Sequence, residues 1–386
     1  MFRTLSIFSA QAILIANFSD SGPYEVTTIS SDISVTNGQT LDYTIFMPED
    51  SQSSVHVLLV HSFTRNMSVL SDLAQHYASW GISVVTMDLI HSSIFENDPL
   101  QDVIDLGLLS AHISEGEPII YVGHSAGAMR AIASAVSDSN AIAILGLDLT
   151  DGAYEQTGGD FLALSNTPEL SIPLWGLLAE PSDCNAYGNG LDVYFESDHG
   201  NAISIIEADH CDFELPTNFL CTFLCQGSND LFSEDEINDV ILNLSTSYLL
   251  HHSGIQDDAI SMWMPGNDYY EGLISDGAIE QLTELEISRE IFSPDRFALY
   301  PNYPNPFNPV TNIHYKIENN SYVKVNIANV KGKHIRYLID EYQFSGTHSV
   351  LWNGRDDNGN PVPSGIYFYT MAVNKYRKSN KMILIK

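Results

Sequence analysis

The chain has 386 residues, 44% hydrophobic and 17% charged, a globular composition that excludes a disordered polymer and suits two domains better than one. Its formal net charge is −33, yet residues 296–386 hold 12 of the 16 Lys/Arg and only 5 of the 49 Asp/Glu, so a strongly acidic part precedes a basic one. A surface that acidic repels nucleic acid and anionic headgroups, and no apolar run approaches the roughly 20 residues a membrane-spanning helix needs.

The opening MFRTLSIFSAQAILIANFSD joins one basic residue, Arg3, to a mostly apolar run that ends at Phe18. That is the texture of a secretory leader, and residues 1–20 are expected to direct export. YEVTTISSDISVT and LDYTIFMP then alternate and end at turns, as strands do. VHVLLVH is a β-branched run closed by the polar SFTRN. MSVLSDLAQHYASWG carries apolar residues at helical spacing and stops on Gly81. ISVVTMD reads as a buried strand, DPLQDVIDLGLLSAHI as an amphipathic helix, PIIYV as a strand and SAGAMRAIASAV as a helix. AIAILGLD, IPLWGLL and AISIIEA are further strands, and TNFLCTFLC and EDEINDVILNLSTSYLL are helices. Buried runs alternating with helical patterns predict an α/β fold over residues 21–285, a doubly wound, mainly parallel sheet covered on both faces. The irregular stretch from about 253 reads as the end of this domain, with a linker at 286–298.

From Leu299 the texture changes. YPNYPNPFNP holds four prolines in ten residues, and YVKVNIANV, HSVLWNG, GIYFYTMAV and KMILIK alternate between turns such as DDNGN and PSG. Residues 299–386 therefore read as a small all-β sandwich.

The four cysteines, Cys184, Cys211, Cys221 and Cys225, all lie in the acidic part. An even number in an exported chain fits two disulfides, and four cysteines allow three pairings. Cys184–Cys211 would tie two strand-end loops, and Cys221–Cys225 would staple the helix that follows. Zinc is a poor alternative, because C-x3-C has no matching second pair.

YVGHSAGAMR places G-x-S-x-G between a buried strand and a helix. That is the context in which Ser125 becomes a nucleophile on a sharp strand-to-helix elbow, with Gly123 and Gly127 removing side chains that would collide. A serine hydroxyl needs an oriented base and N–H donors for the oxyanion. The Ala126 N–H supplies one donor, and the loop His61-Ser62-Phe63-Thr64 supplies the other, for which Phe63 is the candidate. His210 directly follows the strand AISIIEA and is the candidate base. His199 lies in a polar loop, His251 and His252 end a helix where an imidazolium suits the dipole, His124 reads as packing, and His61 reads equally well as a satisfied core histidine. The acid is open among strand-end carboxylates, Asp148 with Asp151 nearby, or Asp183 with Glu180.

GHSAG, GLDLTDG and ADHCDFE, in that order, resemble the α/β-hydrolase superfamily near its dienelactone-hydrolase-like branch, which includes chlorophyllases, platelet-activating-factor acetylhydrolases and cutinase-like polyester hydrolases. The resemblance runs over roughly residues 22–252. It implies a Ser125-His210-Asp148 triad, since Asp148 falls where the chlorophyllase and acetylhydrolase members place the acid. Cutinase-like members place it one strand later, which makes Asp183 the alternative. HSFTRNMSVLSDLAQHYASWGISVVTMD is similar to the cutinase-like oxyanion segment, with Ser62 where a glycine is usual. Asp148-Leu149-Thr150 stands where those enzymes have Thr-Pro-Trp, so one side of their aromatic clamp is missing. PNPFNP, IANVKGKHIRYL, WNGRDDNGNPVPSGIYFY and KMILIK resemble the C-terminal sorting domain of type IX secretion substrates and the related flagellar-hook-capping Ig-like fold.

The resemblances imply a secreted or cell-surface carboxylic ester hydrolase, monomeric, without metal or cofactor, exported through residues 299–386. Cutin-like and aromatic polyesters are among the candidate substrates. The competing expectations are a non-catalytic surface-binding protein on the same scaffold and an amidase or peptidase.

Overall fold

The two alternating segments near the N-terminus pair with each other. In the computed structural model, β1 (Val26–Ser34) and β2 (Thr40–Pro48) form an antiparallel ladder. There follow β3 (His56–Val60), α1 (Ser71–Ser79), β4 (Ser83–Met87), α2 (Pro99–Ser114), β5 (Ile119–His124), α3 (Ala126–Ala135) and β6 (Ala141–Leu147). Next come α4 (Leu162–Asn166), β7 (Leu174–Leu178), α5 (Leu191–Phe195), β8 (Gly200–Ile205), α6 (Glu234–His252), α7 (Asp268–Asp276) and β9 (Ile279–Leu282). The structure describes residues 17–93, 97–152, 162–182, 184–186, 188–216, 231–282, 297–317, 321–331, 333–343, 346–357, 359–373 and 376–385.

Among the described residues these strands form one sheet in the order β1-β2-β4-β3-β5-β6-β7-β8-β9. The run from β4 through β8 is parallel, and β1, β2 and β9 add antiparallel edges. The result is a mixed α/β unit with a large, mostly parallel sheet. Strand alternation explains its layers. Val57 and Leu59 of β3 and Ile120 and Val122 of β5 enter one core with α1 and α6. Leu58, Val60, Ile119 and Tyr121 enter the opposite core with α2 and α3. Helix α2 starts on an Asp98 cap with Pro99 at its first position, and α6 starts on a Ser233/Glu236 capping box.

Residues 253–282 complete this unit: α7 leads into β9, which closes the sheet against β8 and buries little beyond Ile279. Phe18, assigned to the leader, is buried against Trp80, with ring centroids 5.1 Å apart, and its N–H donates to Asn243 Oδ1 at 2.7 Å. Removal of residues 1–20 would therefore take a core side chain with it; residues 1–16 lie outside the described part. The segment TNFLCTFLC, read as a helix, also lies outside it.

The chain divides into Met1–Phe292 and Ser293–Lys386. In the second unit β10 (Phe297–Leu299), β11 (Thr311–Ile317) and β14 (Gly346–Trp352) form one sheet. The other has the order β13-β12-β15-β16, built from β12 (Ser321–Asn329), β13 (His334–Gln343), β15 (Gly365–Val373) and β16 (Tyr376–Leu384). The inner faces bury Ile313, Tyr315, Val325, Ile327, Trp352, Tyr369 and Met371. The proline-rich opening belongs to this sandwich: Asn302 N–H donates to Tyr369 Oη at 2.8 Å, and Phe307 is buried in the core.

Candidate active site

Ser125 sits between the end of β5 and the first residue of α3 with φ 56° and ψ −127°. A non-glycine residue holds that conformation only where its surroundings over-determine it. Here they do. A Cβ on Gly123 would overlap the backbone of Ala128, and one on Gly127 would overlap the carbonyl oxygens of Val60 and His61. The Ser125 N–H donates to Leu147 O at 2.9 Å, tying the elbow to the end of β6. Serine 125 is thus held at the C-terminal edge of the parallel sheet, where ligand crevices of such sheets lie.

Asp148 follows β6 at the same edge, again with positive φ, 44°. Its side chain is fully buried and accepts from Ala179 N–H at 3.0 Å and from Asn185 Nδ2 at 3.1 and 3.2 Å. His210, in the loop after β8, places Nδ1 at 2.5 Å from Asp148 Oδ2. Facing a carboxylate, Nδ1 carries the proton and donates it, which leaves the lone pair on Nε2. Among the described residues no hydrogen bond joins Ser125 Oγ to His210. The two are connected through His124, whose Nε2–H donates to the His210 carbonyl at 2.9 Å.

The other candidates are spent elsewhere. Asp151 caps α4, accepting from Ala163 N–H at 3.0 Å and Leu164 N–H at 2.9 Å. Glu180 is exposed, and Asp183 lies outside the described residues. His199 is exposed. His251 Nδ1 is bonded to the Asp257 carbonyl at 2.7 Å. His252 is not the helix-end cation its position suggests. Burial, with His251 beside it, lowers its pKa to about 4 and keeps it neutral.

Loop 61–65 lies against the start of α3, as the Gly127 contacts require. His61 is a satisfied core histidine: Nδ1–H donates to Ser62 O at 2.7 Å, Nε2 accepts from Leu89 N–H at 3.0 Å, and burial lowers its pKa to about 4. It fixes the Ser62 carbonyl just ahead of Phe63. Among the described residues neither the Phe63 N–H nor the Ala126 N–H has a protein acceptor.

Asn185 escaped the sequence reading. It lies in CNAYGNG, which shows only turn chemistry, yet it is wholly buried and grips both Asp148 oxygens while its own oxygen accepts from Ser182 N–H and Gly188 N–H at 2.8 and 3.1 Å. Cys184 and Cys211 are each disulfide-bonded, and Cys221 and Cys225 lie outside the described residues.

Residues 311–378 match the family model of the FlgD Ig-like domain, in agreement with the two-sheet sandwich. A comparison of the chain with curated proteins finds no match.

Proposed function

We propose that the first unit is a serine carboxylic ester hydrolase of the α/β-hydrolase type. The observation that carries this reading is Ser125 held in a positive-φ elbow at the sheet edge that also bears the Asp148–His210 pair. In the proposed reaction Ser125 Oγ attacks the acyl carbon as His210 Nε2 takes its proton. Asp148 holds the imidazole tautomer and stabilises the imidazolium. The oxyanion rests on the Ala126 and Phe63 N–H groups, a donor of that kind contributing about 10²–10³ in kcat. Collapse of the tetrahedral species expels the alcohol, protonated by His210. Water, deprotonated by the same imidazole, then attacks the acyl-Ser125 ester and restores the hydroxyl. Cutin-like and aromatic polyesters stay among the candidate substrates.

Ser125→Ala should abolish p-nitrophenyl ester turnover and labelling by a fluorophosphonate, and Asp148→Asn should lower kcat by about 10⁴. Retained turnover in Ser125→Ala would sink the assignment.

For the second unit we propose a type IX sorting role and hence a secreted or cell-surface destination. The Ig-like match and the basic character of residues 296–386 support it. Among the described residues no helix is long and apolar enough to cross a membrane. Deletion of residues 299–386 should leave turnover intact in purified protein while stopping export in a host with that pathway; unchanged export overturns the role.

A further inference from the structure

A buried cluster that takes no part in the proposed proton transfers joins the two loops of the site. Arg65, on the loop that carries Phe63, places Nε 2.8 Å from Glu214 Oε1, on the loop that carries His210. Glu214 is sealed from solvent, and the Arg65 side chain is only 20% exposed. His124, preceding Ser125, is fully buried and has Nδ1 3.6 Å from the same Glu214 oxygen. Its other nitrogen donates to the His210 carbonyl at 2.9 Å, and its ring neighbours those of His210 and Phe213, at centroid distances of 4.6 and 6.4 Å.

Each loop needs a brace. Thr64 is held at φ 61°, an unfavourable angle for a threonine, and the Thr64 N–H donates to Ser92 O at 2.9 Å. The 210–215 loop has no regular structure, and is turned by the Glu214 N–H to Cys211 O bond at 3.0 Å. Its end caps α1, where Leu215 O accepts from Asp72 N–H at 2.9 Å and Leu73 N–H at 3.3 Å. A buried ion pair gains little net stability over well-packed apolar side chains, but removing one partner strands the other. What Arg65–Glu214 does provide is a fixed distance between two loops that are 149 residues apart in the chain.

We propose that Arg65 and Glu214, with His124 as the third contact, are positioning residues that hold the oxyanion loop and the His210 loop in register across the Ser125 elbow. This rests on the esterase reading for its kinetic consequence, not for its structural one. Neither residue touches the reacting atoms. Their effect is on the placement of the Phe63 N–H relative to His210 Nε2, for which a shift of about 1 Å costs on the order of 10²-fold.

The test uses the full-length protein, with Arg65→Ala, Glu214→Ala, the double variant and Glu214→Gln. Ester kinetics are normalised to sites that react with fluorophosphonate, and backbone hydrogen exchange is followed in segments 62–65 and 210–215. Either alanine variant should lower kcat per site by roughly 10–100-fold with KM held within about twofold. The double variant should be no worse than the poorer single one, and Glu214→Gln, which keeps an oxygen for the Arg65 N–H, should recover most of the loss. Exchange should quicken in both segments whichever partner is removed. Additive kinetic losses, or exchange that quickens only in the mutated segment, overturn the proposal. Should Ser125→Ala keep its turnover, the hydrolase reading falls alone, and linked exchange still decides whether the two loops are braced.

Discussion

Two ion pairs separate the halves of this chain. In the acidic unit Arg130 Nε lies 2.7 Å from Asp102 Oδ2 with both side chains sealed from water. In the basic unit Lys324 Nζ lies 3.4 Å from Asp340 Oδ2 with 42% of each side chain exposed. The acidic unit has few cations, and both of its described ones, Arg65 and Arg130, are paired with buried carboxylates. Arg130 also donates to Ala126 O at 3.1 Å and Asn97 Oδ1 at 3.2 Å, which ties the first turn of α3, and so the Ser125 elbow, to α2. The Ig-like unit keeps its interior apolar and aromatic and places this ion pair on the surface. The contrast teaches that charge in the first unit does two jobs. Outside, carboxylates solvate the fold. Inside, two guanidinium groups fix site-bearing loops and helices.

The largest effect expected from that contrast is at Arg130. Arg130→Ala leaves Asp102 buried without its cation and should destabilise the first unit by about 3–5 kcal/mol in denaturant melts. A loss under about 1 kcal/mol would erase the distinction between the two pairs. A middle-sized effect comes from carboxylate crowding. Burial, and then Asp209, raise the Asp212 pKa from 3.8 to about 7. Because the folded value is the higher one, its contribution is fully present below pH 3.8 and is lost as pH rises through 7. Asp212→Asn removes that loss and can still accept the Asp209 N–H, bonded to Oδ2 at 2.7 Å. It should therefore stabilise the protein at pH 8 by about 1–3 kcal/mol, with no gain below pH 3.8. A gain independent of pH would point to packing instead. The smallest effect is at the surface pair. Lys324→Ala should cost no more than about 1 kcal/mol, and less still in 1 M salt. A larger, salt-insensitive loss in the second unit's melt would mean that its surface charges are structural too.

Much of the architecture was legible because it repeats locally. VLLV within VHVLLVH, and PIIYV, are apolar at every position, which suits a strand covered on both faces, and both lie inside the parallel sheet. The elbow was legible for a similar reason, since G-x-S-x-G marks positions where a Cβ has no room. Asp148 and His210 stood out as polar residues ending apolar strands. Nothing local marked Asn185, Arg65 or Glu214. Each sits among turn residues, and each draws its role from a partner far along the chain. Phe18 was misplaced because an apolar leader and a buried edge segment share one composition.

The sequence by itself determined which segments alternate, where one covered sheet gives way to a small sandwich, and which serine has glycines on both sides. Period and steric room act over a few residues, so they can be read from a few residues. Only the tertiary structure decided that Asp148 meets His210, that Asn185 grips that carboxylate, and that Arg65 reaches Glu214. Those contacts depend on how crossovers bring distant strand ends to one edge of the sheet, where side-chain directions and burial, not spacing along the chain, select the partner.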